Sequence, residues 1–218
     1  SLFQSTTDTE AIIHLVARSH KSAPKDRLAE ALMQVSGAYA LVAVVEGTLI
    51  GVRDPLGIRP LVMGTIGDAT VLASETCALD IIGAEYVRDI DPGEMVIISK
   101  DGVSSLRIAE NQPSRFCIFE YIYFARPDSR LEGRSVYMAR KSIGQELATE
   151  AGVAADLVVP VPDSGVPAAI GYAEASGIPF DLGIIRNQYI GRTFIQPTEE
   201  GRTSGVMLKH NANSEIVA

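Results

Sequence analysis

The chain has no tryptophan, two cysteines and three histidines in 218 residues, and each scarcity narrows what it can be. Two cysteines, Cys77 and Cys117, cannot build a disulfide framework, which fits a reducing cytoplasm. The histidines His14, His20 and His210 are scattered, so no Ser-His-Asp or Cys-His arrangement is legible. No C-x-x-C spacing offers a zinc site. No apolar run approaches the roughly 18 residues of a membrane span, and the opening residues do not read as a signal peptide. Basic residues are outnumbered 19 to 27, for a net charge of -8, which argues against nucleic-acid binding driven by general charge. Any anion must be held by a local site.

What is present suffices for a core. At 46% hydrophobic, the chain can fold as one large domain or two small ones. In the first half, DRLAEALMQV places Leu28, Leu32 and Val35 on one helical face. AYALVAVVEGTLIGVRD reads as two strands turning at Glu46-Gly47. TVLAS is a further short strand, and Ser74 is placed to cap a helix over SETCALDIIGA. EMVIISKDGVSSLRI is a hairpin with Asp101-Gly102 at its tip. STTDTEAIIHL holds a capping box, Thr7 followed by Glu10, with Asp8 in the first turn where the helix dipole favours it. Hairpins between helices predict antiparallel sheet with helices outside it, an α+β arrangement.

The second half changes pattern. SVYMARKSIGQELATEAG is a helix capped by Ser135 and stopped by Gly152. DLVVPVP reads as a strand buried on both faces, followed by a helix over VPAAIGYAEASG and a strand over PFDLGIIRN. That is a βαβ unit with a right-handed crossover. The change falls near residues 112–118, so two domains are expected. The first residues enter in mid-pattern and NSEIVA stops as an element begins, so the chain reads as an internal piece of a longer protein.

Three stretches carry candidate chemistry. PVPDSGVPAA sets a small polar turn between strand and helix, where backbone N–H groups and the helix dipole suit an anion. A plain helix cap by Asp163 or Ser164 explains the same spacing, and both readings stand at this point. RNQYIGRTFIQPTEEGRTSG strings Arg186, Arg192 and Arg202 through a Gly- and Thr-rich segment of an acidic chain. Beside an anion site it reads as a lid over a phosphorylated ligand; alone it would be a solvated loop. FEYIYFARPDS crowds Phe119, Tyr121, Tyr123 and Phe124 ahead of a charged turn and reads as core, with Arg126 and Asp128 pairing to hold the turn.

Taken in order, GAYALVAV, RDPLGIRPLVMG, ASETCALD, PGEMVIIS, CIFEYIYFARPDS, VPDSG and NQYIGRTFIQPT resemble the amidophosphoribosyltransferase family over nearly the whole chain. The resemblance implies an α+β N-terminal-nucleophile hydrolase-type sandwich in residues 1–115, the C-terminal part of a glutaminase domain. Residues 116–218 become the first part of an α/β type I phosphoribosyltransferase domain. The implied reaction makes 5-phosphoribosylamine, glutamate and pyrophosphate from glutamine and phosphoribosyl pyrophosphate, opening purine biosynthesis. Asp8 would grip the α-ammonium of glutamine. Asp163, Ser164, Gly165, Arg186 and Arg192 would hold the pyrophosphate, and Tyr123, Tyr189, Phe194 and Ile195 would line an ammonia channel. Mg2+ is the implied cofactor. Cys117 is either the first ligand of a 4Fe-4S cluster or a buried thiol. Purine nucleotides as feedback inhibitors, a homotetramer and a cytoplasmic location are also implied, with no nucleic-acid or membrane partner.

Two family features are missing. Residue 1 is Ser1 where the family's catalytic Cys would be sought, and the acidic-pair ribose motif expected after IVA is not in the sequence. A rival reading is therefore a non-catalytic nucleotide-binding regulatory module that lost both active centres. On either reading the 218-residue chain alone is expected neither to hydrolyse glutamine nor to form phosphoribosylamine. Glutamate release by the pure chain would overturn that expectation.

Overall fold

A computed structural model describes residues 3–110, 112–189 and 198–217, without the side chains of 201, 202 and 204. Two compact units result. Unit 1 comprises Ser1–Ile118 and Ser129–Gly133; unit 2 comprises Phe119–Asp128 and Arg134–Ala218. The division falls after Ile118 rather than after residue 115, and a short segment returns to unit 1. It returns because Ser129 Oγ donates to Glu75 Oε2 at 2.7 Å and the Arg130 N–H donates to Thr76 Oγ1 at 2.8 Å.

Unit 1 holds α1 (Thr9–Arg18), α2 (Pro24–Leu32), β1 (Ala40–Val45), β2 (Thr48–Arg53), β3 (Val62–Ile66), β4 (Ala69–Ala73), α3 (Thr76–Ile81), β5 (Glu85–Asp89), β6 (Glu94–Ser99), β7 (Gly102–Arg107) and the two-residue β8 (Arg130–Leu131). One sheet has order β1-β2-β6-β7 and the other β4-β3-β5, both antiparallel. The period of two along each strand sorts side chains into layers. Ile50, Val52, Met95 and Ile97 meet Leu28 and Leu32 of α2, with Ile12 and Val16 of α1 packed alongside. Val96 points the other way and packs with Leu61, Met63 and Ile90 between the sheets. On β3 the alternate residue Val62 meets Leu79 of α3. The order of layers is helix, sheet, sheet, helix, the α+β arrangement expected for this half.

The local details refine the expected turns. Glu46 and Gly47 both take positive φ, 50° and 77°, as a two-residue turn between right-twisted strands requires. In the β6–β7 hairpin Ser99 pairs with Gly102, so the turn is Lys100-Asp101, one residue earlier than the sequence suggested. Ser74 does not cap α3; Glu75 stands at its N-cap. RDPLGIRP folds around two buried side chains. Asp54 accepts N–H donors from Leu56 (2.9 Å) and Ile58 (3.0 Å), and Arg53 donates to the carbonyls of Gly57, Arg59 and Ile90 and to Glu132 Oε1. Each such charged bond contributes about 1.5–3 kcal/mol.

Unit 2 holds a π-helical turn (Glu120–Phe124), the two-residue β9 (Arg134–Ser135), α4 (Val136–Ala151), α5 (Val166–Ser176), β10 (Ile184–Arg186), α6 (Glu199–Lys209), β11 (His210–Ala212) and α7 (Ser214–Val217). The caps of α4 are those expected: Ser135 Oγ accepts from the Met138 N–H at 3.3 Å, and Gly152 closes the helix at φ 53°. The expected βαβ strands are reduced to one parallel bridge, Val158 with Phe180. Pro160 and Pro162 carry no N–H, so the ladder cannot continue past that point. β10 instead pairs antiparallel with β11. Residues 199–209 form a helix where a loop was expected, with Glu199 and Glu200 in its first turn and Lys209 in its last, matching the dipole. The expected core role of FEYIYF is also corrected. Tyr121 is buried, but Phe119, Tyr123 and Phe124 are more than half exposed.

α4 and α5 touch backbone to backbone. A Cβ on Gly144 would lie 1.8 Å from the Ala168 carbonyl oxygen, and one on Gly171 would lie 1.9 Å from the Lys141 carbonyl oxygen. Neither obstacle is a flexible side chain, so the helices themselves must separate. Gly144→Ala and Gly171→Ala are each expected to cost about 3 kcal/mol, the upper end of ordinary overpacking. Chemical denaturation reads the loss; an unchanged midpoint in both variants would remove the close contact.

Candidate functional site

The stretch Pro162–Gly165 joins the bridge segment to α5. Its Pro162-Asp163 peptide is cis. The Gly165 N–H donates to the Val161 carbonyl at 3.2 Å, and a Cβ there would lie 2.7 Å from that same oxygen, so the loop closes only with glycine. No side chain caps α5. The Asp163 carboxylate does not cap the helix; it accepts a short hydrogen bond from Arg186 at the end of β10.

A cavity of about 460 Å³ opens beside this loop. Four cationic side chains line it, Arg126, Arg140, Arg186 and Lys209, against one lining carboxylate, Asp163. Ser164 adds a hydroxyl, and Tyr123 and Phe124 form an aromatic wall. Arg126 is held in a two-bond fork by Asp128, at 3.0 and 2.7 Å, as the sequence suggested, and it draws the Asp128 carboxyl below its usual range. The Nε of Arg186 is buried and has no hydrogen-bond partner among the described residues. A cavity with this surplus of positive charge suits a ligand carrying more than one phosphate-type group.

The remaining expected residues are placed as follows. Tyr123 lines the cavity, whereas Tyr189 is 97% exposed and does not. Arg192, Phe194 and Ile195 lie outside the described residues, as does the side chain of Arg202. Cys117 is half-buried, and its N–H donates to the Ile58 carbonyl at 3.1 Å. Among the described residues no three His, Cys, Asp or Glu side chains form a metal-holding group. No described helix is long and apolar enough to cross a membrane. Sequence reasoning missed Arg140 as a cavity cation. Arg140 had a readable signal: Val136, Arg140 and Gly144 are spaced by four along α4 and all three are buried, so a charge stands in an apolar stripe.

Asp8 is exposed at the N-cap of α1 and does not cap it by its side chain. The capping box is altered. Glu10 reaches past Thr7 and accepts from the N–H groups of Gln4 (2.7 Å) and Ser5 (2.8 Å) and from Ser5 Oγ (2.5 Å). These bonds, the Ser5 hydroxyl first, hold its carboxyl at about 2 against an ordinary 4.5. Because the folded value is depressed, the contribution is complete above pH 4.5 and is lost as pH falls towards 2. Acidification is therefore expected to loosen residues 4–18 before unit 1 melts as a whole. Glu10→Gln should abolish that early step in hydrogen exchange followed against pH; an identical acid profile would show that Glu10 does not hold the segment.

Residues 1–80 match the glutamine amidotransferase domain family. The whole chain aligns with amidophosphoribosyltransferase of Rhizobium etli at 53% identity, covering 45% of that protein. Its Bacillus subtilis counterpart is 49% identical over the whole chain, which covers 46% of it. Among solved structures, glutamine phosphoribosylpyrophosphate amidotransferase from B. subtilis, complexed with ADP and GMP, superposes with a TM-score of 0.91 at 49% identity, over all of this chain and 48% of that one. The chain thus spans about half the length of the curated relatives it matches. Along its whole length the chain is similar to amidophosphoribosyltransferases.

Proposed function

We propose that the whole protein moves ammonia from glutamine to phosphoribosyl pyrophosphate, giving 5-phosphoribosylamine, glutamate and pyrophosphate. The observation that carries this reading is the cavity in unit 2, where four cationic side chains and the Pro162–Gly165 loop converge. In fold terms, unit 1 is part of an N-terminal-nucleophile hydrolase-type sandwich and unit 2 is the first part of a type I phosphoribosyltransferase domain. The layer order of unit 1 and the anion-suited loop before α5 support that assignment.

The chemistry follows from charge. As pyrophosphate leaves, negative charge builds on its oxygens while C1 of the ribose becomes oxocarbenium-like. Fixed cations beside the leaving group stabilise that charge without reorganising, which is where such a site gains most. Arg186 and Lys209 would face the phosphates, with the Ser164 hydroxyl donating beside them. Arg192 joins them by family resemblance, and Tyr123, Tyr189, Phe194 and Ile195 would guide ammonia on the same ground. In unit 1, Asp8 at the head of α1 would take the glutamine α-ammonium.

Mg2+ enters the proposal with the substrate, screening the diphosphate, and Asp163 is the lining carboxylate able to meet it. For a 4Fe-4S cluster, Cys117 would supply a thiolate; among the described residues no three candidate ligands come together. Iron and sulfide content of the whole protein decides that assignment. The proposal extends to purine nucleotides as inhibitors and to a homotetramer in the cytoplasm.

Arg186→Ala in the whole protein tests the site. Loss of a charge-assisted bond costs about 1.5–3 kcal/mol, or roughly ten- to a hundredfold. That loss is expected in kcat/KM for phosphoribosyl pyrophosphate with ammonia as nitrogen donor, while basal glutamine hydrolysis stays unchanged. Equal loss of both activities, or of neither, would remove Arg186 from the phosphate site.

A further inference from the structure

We propose that Arg140 is a positioning residue for this reaction, holding the aromatic wall of the cavity at the spacing the phosphorylated substrate needs. The inference rests on the cavity being the phosphoribosyl pyrophosphate site. Arg140 is only 3% exposed, an uncommon place for a charge. Its Nε donates to the Tyr121 carbonyl at 2.5 Å and its Nη2 to the Ala125 carbonyl at 2.7 Å. Those two carbonyls bracket the end of the π-helical turn Glu120–Phe124, closed by the Ala125 N–H on the Glu120 carbonyl at 3.0 Å.

The turn needs such a hold. Phe119–Asp128 belongs to unit 2, yet the chain arrives there from unit 1 at Ile118 and returns to unit 1 at Ser129. Within unit 2 it therefore has no covalent neighbour, and noncovalent bonds must place it. Arg140 supplies two, and the Tyr137 N–H supplies another to the Pro127 carbonyl at 3.0 Å. The segment so placed contributes Tyr123, Phe124 and Arg126 to the cavity. π-helical turns are costly and recur at functional sites, because they re-aim side chains that an α-helix would spread over two turns. A planar fork reaches two carbonyls at once; a lysine ammonium on a flexible stem does not hold the same pair in one geometry.

The test uses the whole protein with ammonia as nitrogen donor and phosphoribosyl pyrophosphate as the varied substrate. Arg140→Lys is expected to raise KM about tenfold, the size of one lost charge-assisted bond, with kcat within threefold. Hydrogen exchange should quicken across 119–128 and not along α5. Arg140→Gln, an uncharged donor of shorter reach, is expected to raise KM further. A purely structural arginine would lower activity in step with the folded fraction at unchanged KM, and that result overturns the proposal. Failure of both variants to fold overturns it too, by assigning Arg140 to unit 2 as a whole. If the unaltered protein shows no saturable dependence on phosphoribosyl pyrophosphate, the functional reading fails instead. If it does and the variants keep its KM, only the role of Arg140 falls.

Discussion

The closeness of α4 to α5 governs unit 2. Two glycines, Gly144 and Gly171, let the helices meet at backbone distance, each facing a carbonyl of the other helix. The facing residues are Lys141, next to Arg140, and Ala168, three residues after Gly165. The contact therefore sets how far the buried arginine stands from the loop that starts α5. Lys141 Nζ meets Glu174 Oε1 at 2.7 Å across the same pair, closing the contact at its rim. Larger side chains at the two glycine positions would force the helices apart, and the cavity would change width with them.

Charge explains why the cavity sits in an otherwise acidic chain. A net charge of -8 keeps general attraction to polyanions low, so an anion is favoured only where cations converge. Convergence here is a matter of topology. Arg126 follows the π-helical turn, Arg140 lies in α4, Arg186 ends β10 and Lys209 ends α6. The pairing of β10 with β11 sets Arg186 opposite His210, the residue after Lys209. Asp163 meets Arg186 in the cavity, and Asp128 grips Arg126, so part of this charge is met by carboxylates within unit 2.

Much of the architecture was legible where the cause was local. Ser135 and Gly152 bound α4 because a cap needs only its own helix end. Glu46-Gly47 made its turn because Gly47 takes positive φ freely and the two apolar runs it joins are adjacent in sequence. The alternation that sorts Ile50 and Val52 from Gly51 is likewise written into the strand. The parallel pairing was read as longer than it is although the prolines were in plain view. An apolar run was given more weight than the missing N–H groups of Pro160 and Pro162.

What the sequence determined by itself was the set of elements whose partners lie within a few residues, together with the family likeness of its motifs. Only the tertiary structure decided that FEYIYF would be a half-exposed wall rather than core. That turn is held by Arg140, whose contacts lie 15 and 19 residues away along the chain. The pairing of Asp163 with Arg186 spans 23 residues, and no pattern within either element records it. Such pairings depend on where whole helices and strands come to rest, and composition and periodicity record only what each element buries.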